Sequence, residues 1–344
     1  MTRFAPAIAA QNINGKSILV TGGTGSFGQA FVRTLFEKYS PARVVIFSRD
    51  ELKQFEMQNQ PWLRGRSEVR FFIGDVRDLD RLEMAFRGVD VVIHAAALKQ
   101  ISAAEYNPFE CIRTNVHGAE NVVKAAIRNR VKRVVALSTD KASNPINLYG
   151  ASKLASDKIF VAAKWLVGPQ QDPLFGVVRY GNVLGSRGSV VPFFRSILSR
   201  GESSLPITDA RMTRFWITLP EGVDFVLSCL GTMQGGEIFV PKIPSMRVVD
   251  LASAMAPGHP THVVGIRSGE KLHETMITED DARNTLELPD RFIVRPGLYG
   301  EQRHYHPDEK LVAESFNYAS NANGEWLTVA AMQRLLGSLG SDAH

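Results

Sequence analysis

Side chains that can move protons are concentrated in the stretch from Ser138 to Lys153. An apolar run, Val134 to Leu137, precedes this stretch and ends abruptly in polar residues. That pattern is typical of a buried parallel strand that reaches the carboxyl edge of its sheet, where ligands bind in such folds. We therefore interpret the stretch as a catalytic segment, whose candidate catalytic residues are Asp140, Lys141, Tyr149 and Lys153.

Tyr149 and Lys153 form one candidate pair within this segment. They follow a predicted Asn-Pro turn and lie four residues apart at the start of a predicted helix, so both side chains project from one face. A tyrosine beside a lysine ammonium can take a hydroxyl proton near neutral pH while hydride leaves the same carbon for a nicotinamide ring. Because this spacing is also common on surface helices, the interpretation requires a cofactor site elsewhere in the chain.

A glycine-rich turn near the N-terminus predicts that cofactor site. The β-rich run Lys16 to Val20 leads directly into the turn, and Gln29 to Lys38 has helical character. Glycines in this context allow a tight turn and let backbone N–H groups approach a pyrophosphate at the positive end of the helix. An ordinary tight turn between a strand and a helix is the alternative. The predicted cofactor-binding residues here are Thr21, Gly22, Gly23, Thr24, Gly25, Ser26, Phe27 and Gly28.

Polar residues after the second predicted strand, Arg43 to Phe47, indicate which dinucleotide binds. Ser48, Arg49 and Lys53 occupy the region that reads the ribose in such folds. Two cations there suit a 2′-phosphate, which favours NADP, while Asp50 leaves NAD as an alternative. A solvated helix start is the other interpretation of these charges.

Two more predicted strands supply the remaining cofactor contacts. Val69 to Ile73 ends just before two candidates at the rim, and Val89 to His94 opens into small residues that would let a cofactor lie close to the backbone. Helical stretches separate these strands, and the alternation predicts an α/β fold, a Rossmann-type doubly wound parallel sheet. The further predicted cofactor-binding residues are Asp75, Val76, Ala95, Ala96, Ala97, Lys99, Tyr149, Lys153 and Tyr180.

Beyond Tyr180 the alternation loosens, which predicts a second, smaller lobe. Glu237 to Val240 reads as a strand that returns to the sheet. The predicted divisions are a loose N-terminal arm (1–15), a dinucleotide-binding Rossmann domain (16–182, plus about 215–242), a discontinuous C-terminal substrate lobe (183–214 and 243–330) and a C-terminal tail (331–344).

Composition limits the classes of function. The chain has 344 residues, of which 44% are hydrophobic, and its net charge of +5 comes from Lys and Arg scattered among acidic residues. No basic run predicts a nucleic-acid partner. The longest apolar stretch, Val89 to Leu98, is too short and too polar to span a membrane. Cys111 and Cys229 are far apart, which fits a reducing cytoplasm, and no His, Cys or carboxylate spacing predicts a metal site.

Several motifs together resemble one family. They are the glycine turn, Ser48 to Glu56, Ala104 to Pro108, Ser138 to Lys153, Arg179 to Val183, Arg211 to Trp216, and Arg267-x-Gly269-Glu270-Lys271-x-His273-Glu274. Through them the chain from Ile18 to about Arg295 resembles the extended short-chain dehydrogenase/reductase superfamily. Asp140-Lys141 after Thr139 resembles, within it, the inverting UDP-N-acetylglucosamine 4,6-dehydratases that begin bacterial pseudaminic acid biosynthesis. The family usually has Lys-His-Val-Pro where this chain has Lys99-Gln100-Ile101-Ser102, which leaves the sugar contacts there open.

The resemblance implies a dehydration. Hydride transfer needs only the tyrosine as a base, whereas elimination of water needs a second base and an acid. Tyr149 is then expected to take the 4-hydroxyl proton, with Thr139 as a helping hydroxyl. Lys141 is expected to remove the C5 proton, and Asp140 to protonate the departing 6-hydroxyl. Reprotonation of C5 from the opposite face would invert that carbon.

The resemblance also implies ligands and partners. They are a tightly bound NADP that is regenerated in each turnover, UDP-N-acetylglucosamine as the substrate, and a homo-oligomeric assembly. Two alternatives stay open: a UDP-sugar 4-epimerase, which would need Tyr149 but not Asp140 or Lys141, and a non-catalytic NADP-binding sensor. The expected substrate-binding residues are Lys99, Asn182, Val190, Arg195, Thr208, Met212, Arg214, Arg267 and Glu270.

Overall fold

The computed structural model describes residues 3–4, 10–167, 172–297 and 304–338. In the first half of the chain, strands alternate with helices because buried β-branched runs are separated by amphipathic stretches. The strands are β1 (Ser17–Thr21), β2 (Arg43–Ser48), β3 (Val69–Ile73), β4 (Val91–His94), β5 (Arg133–Thr139) and β6 (Leu174–Tyr180). The helices are α1 (Ala10–Ile13), α2 (Ser26–Lys38), α3 (Glu51–Gln58), α4 (Leu79–Ala85), α5 (Ile101–Tyr106), α6 (Pro108–Ile112), α7 (Gly118–Arg128) and α8 (Leu148–Leu166), with a π-helical turn (Arg113–His117) before α7 and a 3₁₀ turn (Asp140–Ala142) after β5.

The second half of the chain has shorter elements. Its strands are β7 (Asn182–Val183), β8 (Leu205–Ile207), β9 (Thr213–Ile217), β10 (Glu237–Pro241), β11 (Ser245–Arg247), β12 (Thr261–Val263), β13 (Thr275–Ile277), β14 (Thr285–Glu287), β15 (Arg291–Val294), β16 (Lys310–Leu311) and β17 (Tyr318–Ala319). Its helices are α9 (Val190–Ser199), α10 (Leu219–Thr232), α11 (Val248–Met255), α12 (Glu279–Ala282) and α13 (Val329–Ser338).

One large sheet organises these elements. Its strand order is β16-β14-β15-β10-β6-β5-β4-β1-β2-β3, and the strands from β10 to β3 run parallel. The order reverses between β1 and β4, so the carboxyl ends of these strands open a crevice, as in a Rossmann-type doubly wound sheet. The register pairs Thr21 with His94 and Thr139 with Tyr180, which brings the polar ends of neighbouring strands to one level. The predicted fold class is confirmed.

The core lies on both faces of this sheet. Every residue of β1 is buried, because helices cover both sides of a parallel sheet. Helix α10 packs against α2, and α7 packs against α4 and α8. Smaller apolar clusters around Phe194 and Trp216 hold the second half of the chain together.

The N-terminal arm differs from the sequence-based expectation. Residues 1–15 are predicted to be loose, yet Phe4 and Ile13 are fully buried in the main core. The ring of Phe4 lies 4.8 Å from that of Phe225 on α10, and the Asn12 side chain donates to the carbonyl of Leu230. Burial of these apolar side chains outweighs the cost of ordering this part of the arm.

The predicted substrate lobe also needs a correction. Residues 243–330 are assigned to it from the sequence, but β14, β15 and β16 extend the main sheet beyond β10. The apolar edge of β10 explains this pairing, because Phe239 is buried and pairs with Ile293 of β15. Helix α13 crosses the predicted boundary between lobe and tail and packs against α11. The rest of the division into domain and lobe stays a prediction.

Over the described ranges, no helix combines the length and the apolar character that crossing a bilayer requires.

The packing of the arm can be tested by removing one ring. We expect Phe4→Ala to lower the free energy of unfolding by about 3 kcal/mol or more, because a buried phenyl group is lost and a cavity is left. Phe55→Ala removes the same group from a side chain that is 63% exposed, so it is the matched control. Urea denaturation of both variants measures the difference. Equal stability of Phe4→Ala and the unchanged protein would show that the arm does not contribute to the core.

Candidate active site

A cavity of about 1670 Å³ lies over the carboxyl ends of the parallel strands. It exceeds the roughly 300–1,000 Å³ of a typical small-ligand site, so it has room for a dinucleotide and a second ligand. The predicted cofactor residues in its wall are Gly22, Thr24, Gly25, Ser26, Phe27, Gly28, Ser48, Arg49, Lys53, Asp75, Val76, Ala95, Ala96, Ala97, Lys99, Tyr149, Lys153 and Tyr180. The other predicted residues in the wall are Thr139, Lys141, Asn182, Val190, Thr208, Met212, Arg214, Arg267 and Glu270.

Four predicted residues do not line this cavity. Thr21, Gly23 and Asp140 are buried behind its wall. Arg195 is exposed on α9 and lies away from the cavity. The reason is helical geometry: the buried face of α9 carries Val191, Phe194 and Ile197, which turns Arg195 toward solvent. The structure therefore does not bring Arg195 to the site.

The glycine turn has the geometry that a pyrophosphate requires. Gly22 has a φ of +65°, and a Cβ atom there would lie 2.9 Å from the backbone nitrogen of Ala96. A Cβ atom on Gly28 would lie 2.5 Å from the Cα of Gly23, so only glycine allows α2 to pack this closely on the turn. Gly25 caps α2 without a side-chain hydrogen bond, which leaves N–H groups of the first turn for an anion. The residues present fit a dinucleotide.

Arg49 and Asp50, the charged residues that follow β2, differ in what their side chains contact. Asp50 caps α3, accepting a hydrogen bond from the backbone N–H of Lys53, and its carboxylate also lies 2.7 Å from the Lys53 ammonium. Arg49 is half-exposed, lines the cavity and lies 3.6 Å from Asp75. The side chain of Asp50 is thus bound to its own helix. Arg49 lines the cavity, and its one ion pair among the described residues is the 3.6 Å contact with Asp75.

Tyr149 and Lys153 lie side by side at the start of α8, as predicted. Asn147 caps this helix by accepting a hydrogen bond from the backbone N–H of Gly150. Lys153 is buried, and its Nζ donates to the carbonyl of Leu137 at 2.7 Å. Burial raises the pKa of Tyr149 to about 12, although the charge of Lys141 opposes this shift. Tyr149 is therefore protonated at neutral pH in the absence of a ligand.

Asp140 and Lys141 form a second acid–base pair in the 3₁₀ turn after β5. The Oδ1 atom of Asp140 accepts hydrogen bonds from the hydroxyl of Thr139 at 2.9 Å and from Lys141 Nζ at 3.0 Å. Burial raises the pKa of Asp140, and the nearby charge of Glu274 adds to the shift. Burial lowers the pKa of Lys141, but the charges of Asp140 and Glu274 outweigh this and raise it above its usual value. Lys141 is therefore an ammonium at rest.

Glu274 is a residue of this site that sequence reasoning missed. It is only 2% exposed, lines the cavity, and its Oε1 atom lies 3.3 Å from Lys141 Nζ. Glu274 belongs to a motif of the resemblance but is not among the site residues expected from the sequence. The available signal was its place at the end of the motif that begins at Arg267.

Arg214, one of the expected substrate-binding residues, lines the cavity and also makes hydrogen bonds within the chain. It is buried, and its guanidinium donates to the backbone carbonyls of Thr213, Lys271 and Leu272. These bonds tie β9 to the segment that carries Glu274. Arg267, by contrast, is mostly exposed in the cavity wall, 4.0 Å from Glu270.

Lys99 lines the cavity, whereas His94 is buried at the end of β4. Lys99 Nζ donates to the carbonyl of Arg187 at 2.8 Å, and burial lowers the pKa of Lys99. His94 lies 2.8 Å from the hydroxyl of Thr21, and burial lowers its pKa to about 3, with a further contribution from Lys153. Among the residues that the structure describes, no group of His, Cys, Asp and Glu could hold a metal ion.

Comparison with known proteins gives matches over most of the chain. A family model described as "Polysaccharide biosynthesis protein" matches residues 18–296. A UDP-N-acetylglucosamine 4,6-dehydratase (inverting) of Campylobacter jejuni subsp. jejuni serotype O:23/36 is 53% identical over 91% of this chain and 95% of that protein. A UDP-glucose 4-epimerase of Rickettsia canadensis is 38% identical over 93% of this chain and 95% of that protein.

Solved structures show the same fold. The X-ray structure of Pen from Bacillus thuringiensis has a TM-score of 0.87 and 34% identity, and the match covers 95% of this chain and 99% of that chain. DesIV, a dTDP-glucose 4,6-dehydratase from Streptomyces venezuelae with NAD and TYD bound, has a TM-score of 0.65 and 25% identity, over 74% of this chain and 86% of that chain.

The buried His94 gives a testable pH dependence of stability. Its folded pKa is far below the unfolded value, so the stability it contributes is complete above about pH 6.5 and is lost as pH falls toward 3. Between pH 7 and pH 5, we expect this residue alone to remove about 2 kcal/mol from the free energy of unfolding. Urea denaturation at both pH values should show that decline in the unchanged protein and in a His304→Asn control, but a smaller one in His94→Asn. Equal declines in all three would refute the assignment.

Proposed function

This chain belongs to the polysaccharide biosynthesis protein family, and we propose that it is a hydro-lyase that dehydrates UDP-N-acetylglucosamine at C4 to C6 with inversion at C5. The observation that carries the proposal is that two acid–base sets meet at one cavity: Tyr149, Lys153 and Lys141 line its wall, and Asp140 contacts Lys141 from behind that wall. Tyr149 and Lys153 suit oxidation at C4, and Asp140 and Lys141 suit elimination of water. Its relatives that are named inverting dehydratases support the same reaction.

The cofactor is proposed to be NADP. Its diphosphate would lie on the glycine turn and the first turn of α2, and Arg49 would bind the 2′-phosphate as a cation facing the cavity. The chemistry that a bound nicotinamide supplies is acceptance of hydride from C4 of the sugar, its return to C6, and positive charge beside Tyr149 in the oxidised form. Tyr149 takes the proton of the 4-hydroxyl once the pKa of the Tyr149 hydroxyl is lowered toward neutrality.

Lys141 and Asp140 carry the elimination. At rest the Lys141 ammonium donates to Asp140, and moving that proton across the 3.0 Å contact produces a free amine and a protonated carboxyl together. The amine takes the C5 proton, which the 4-keto group has acidified, while Asp140 protonates the departing 6-hydroxyl. The original states of both side chains are thereby restored. Delivery of a proton to the opposite face of C5 inverts that carbon.

The substrate is proposed to enter with its UDP moiety toward the exposed part of the cavity. Arg267 is free to meet the diphosphate there, because its contact with Glu270 is long and it is largely exposed. Lys99 and Asn182 line the same cavity. Arg214 contributes indirectly, by holding the segment that follows Arg267.

The cellular setting is proposed from the same chemistry. A 4-keto-6-deoxy amino sugar is a precursor of pseudaminic acid and related deoxy amino sugars, and nucleotide sugars of this kind are made in the cytoplasm. Tyr106 at the end of α5 is 88% exposed, and Phe109 in α6 is 78% exposed. Such exposed aromatic side chains support a homo-oligomer that covers them.

The reaction is tested with UDP-N-acetylglucosamine in deuterium oxide. We expect a 4-keto-6-deoxy product with deuterium at C5 and inverted configuration there, detected by mass spectrometry and NMR. A 4-epimer without any keto product would instead identify a 4-epimerase. Lys141→Ala should lower the dehydration rate by roughly 100-fold or more, because a general base is lost. Lys124→Ala, which removes a half-exposed lysine from α7, is its control.

The cofactor preference is tested at Arg49. We expect Arg49→Ala to weaken NADP binding by roughly 10- to 100-fold, the cost of one charged hydrogen bond, and to change NAD binding little. Arg64→Ala removes an exposed arginine outside the cavity and serves as the control. Titration calorimetry measures both cofactors. Equal weakening of NADP and NAD by Arg49→Ala would contradict a role in reading the 2′-phosphate.

A further inference from the structure

Glu274 places a second carboxylate against the amine that the proposed function uses as its base. We propose that Glu274 is a positioning residue for Lys141: it holds Nζ beside Asp140 and stabilises the ammonium that forms when Lys141 takes the C5 proton. The inference rests on the proposed function and deepens it by naming the group that makes a lysine effective there.

The backbone of Glu274 is clamped on both sides by one residue. Its N–H donates to the hydroxyl of Ser320 at 2.9 Å, and its carbonyl accepts from the N–H of Ser320 at 2.7 Å. Ser320 is fully buried, and its hydroxyl lies 2.6 Å from that of Thr213 on β9. Glu274 therefore points at Lys141 from a rigid position just before β13, which packs against the 3₁₀ turn.

The charge on Glu274 is balanced by cations alone. Its Oε1 atom lies 3.3 Å from Lys141 Nζ and 3.7 Å from Arg214 Nε. Burial raises the pKa of Glu274, but the charges of Lys141, Arg214 and Lys271 bring it below its usual value. Its Oε2 atom is buried and finds no hydrogen-bond partner within the described residues. A buried carboxylate in this setting stays ionised because its neighbours are positive.

An ionised Glu274 favours the proton transfer at C5. Once Lys141 has given its proton to Asp140, the neutral Nζ no longer balances Glu274. Taking the C5 proton restores the pair, so the developing ammonium is stabilised in the transition state. A buried aspartate stabilises the imidazolium of a serine-protease triad in the same way.

Atoms and charges balance through the step. The C5–H bond breaks and its proton goes to Nζ of Lys141, while its electron pair forms the C5–C6 double bond. The C6–O bond breaks, and the leaving hydroxyl takes the proton of Asp140 to form water. Glu274 neither gains nor loses a proton. The other titratable and charged groups that face this cluster are Tyr149 from α8, Arg214 from β9 and Lys271 from the loop before Glu274.

The experiment separates C4 oxidation from elimination in Glu274→Gln. Single-turnover absorbance of the reduced nicotinamide reports oxidation, and mass spectrometry reports loss of water. We expect elimination to fall roughly 100-fold while oxidation and KM change less than about 3-fold, because Glu274 acts on the Lys141 step alone. Reduced cofactor should accumulate, and a substrate deuterated at C5 should show a larger isotope effect on kcat than in the unchanged enzyme.

Two further variants keep the test interpretable. Glu274→Asp retains the charge at a greater distance and should recover part of the elimination rate. Glu279→Gln removes an exposed carboxylate a few residues along the chain and should leave both steps unchanged. Equal loss of oxidation and elimination in Glu274→Gln would indicate a structural role and overturn the proposal, as would unchanged elimination. If the unchanged enzyme released no water at all, the proposed function itself would fail.

Discussion

The contact of the Lys141 ammonium with the carboxylates of Asp140 and Glu274 is the interaction on which the site depends. Two buried carboxylates contact one ammonium group, and its single positive charge cannot balance two negative charges. Asp140 responds with a raised pKa, while Glu274 stays ionised because Arg214 and Lys271 lie nearby. Burial raises the pKa of both groups, so the additional cations beside Glu274 separate two chemically similar carboxyl groups into an acid and a counter-ion.

Such a cluster is costly unless the surrounding structure holds it, because buried charges lose hydration that only good geometry can replace. Three separate segments supply that geometry. The 3₁₀ turn after β5 carries Asp140 and Lys141, and Ser320 fixes the backbone of Glu274. The guanidinium of Arg214 donates to the backbone carbonyls of Lys271 and Leu272, shortly before Glu274. The second half of the chain therefore holds the charged cluster as well as forming a wall of the cavity.

The parallel sheet gives the cluster its place beside the cofactor site. β5 lies between β4 and β6, and β1 lies next to β4, so the end of β5 and the glycine turn after β1 open toward one crevice. Lys153 is anchored to the carbonyl of Leu137 on β5, which ties α8 to the same strand edge. Tyr149 and Lys141 thus line one cavity, with Asp140 in contact with Lys141 behind its wall.

The sequence by itself determined the features that depend on short-range geometry. The glycine turn, the Tyr149–Lys153 spacing and the adjacency of Asp140 and Lys141 follow from strand, turn and helix periodicity, which local residues dictate. The alternation of apolar and amphipathic runs likewise predicted the doubly wound sheet. Tertiary structure alone decided which side chains that are far apart in the sequence lie close enough to interact electrostatically. It placed Glu274 on Lys141, turned Arg214 toward carbonyl groups and Arg195 toward solvent, and buried Phe4. Each of these side chains could interact with several partners, and packing decides which partner lies within a few ångströms. No local pattern in the chain encodes that choice.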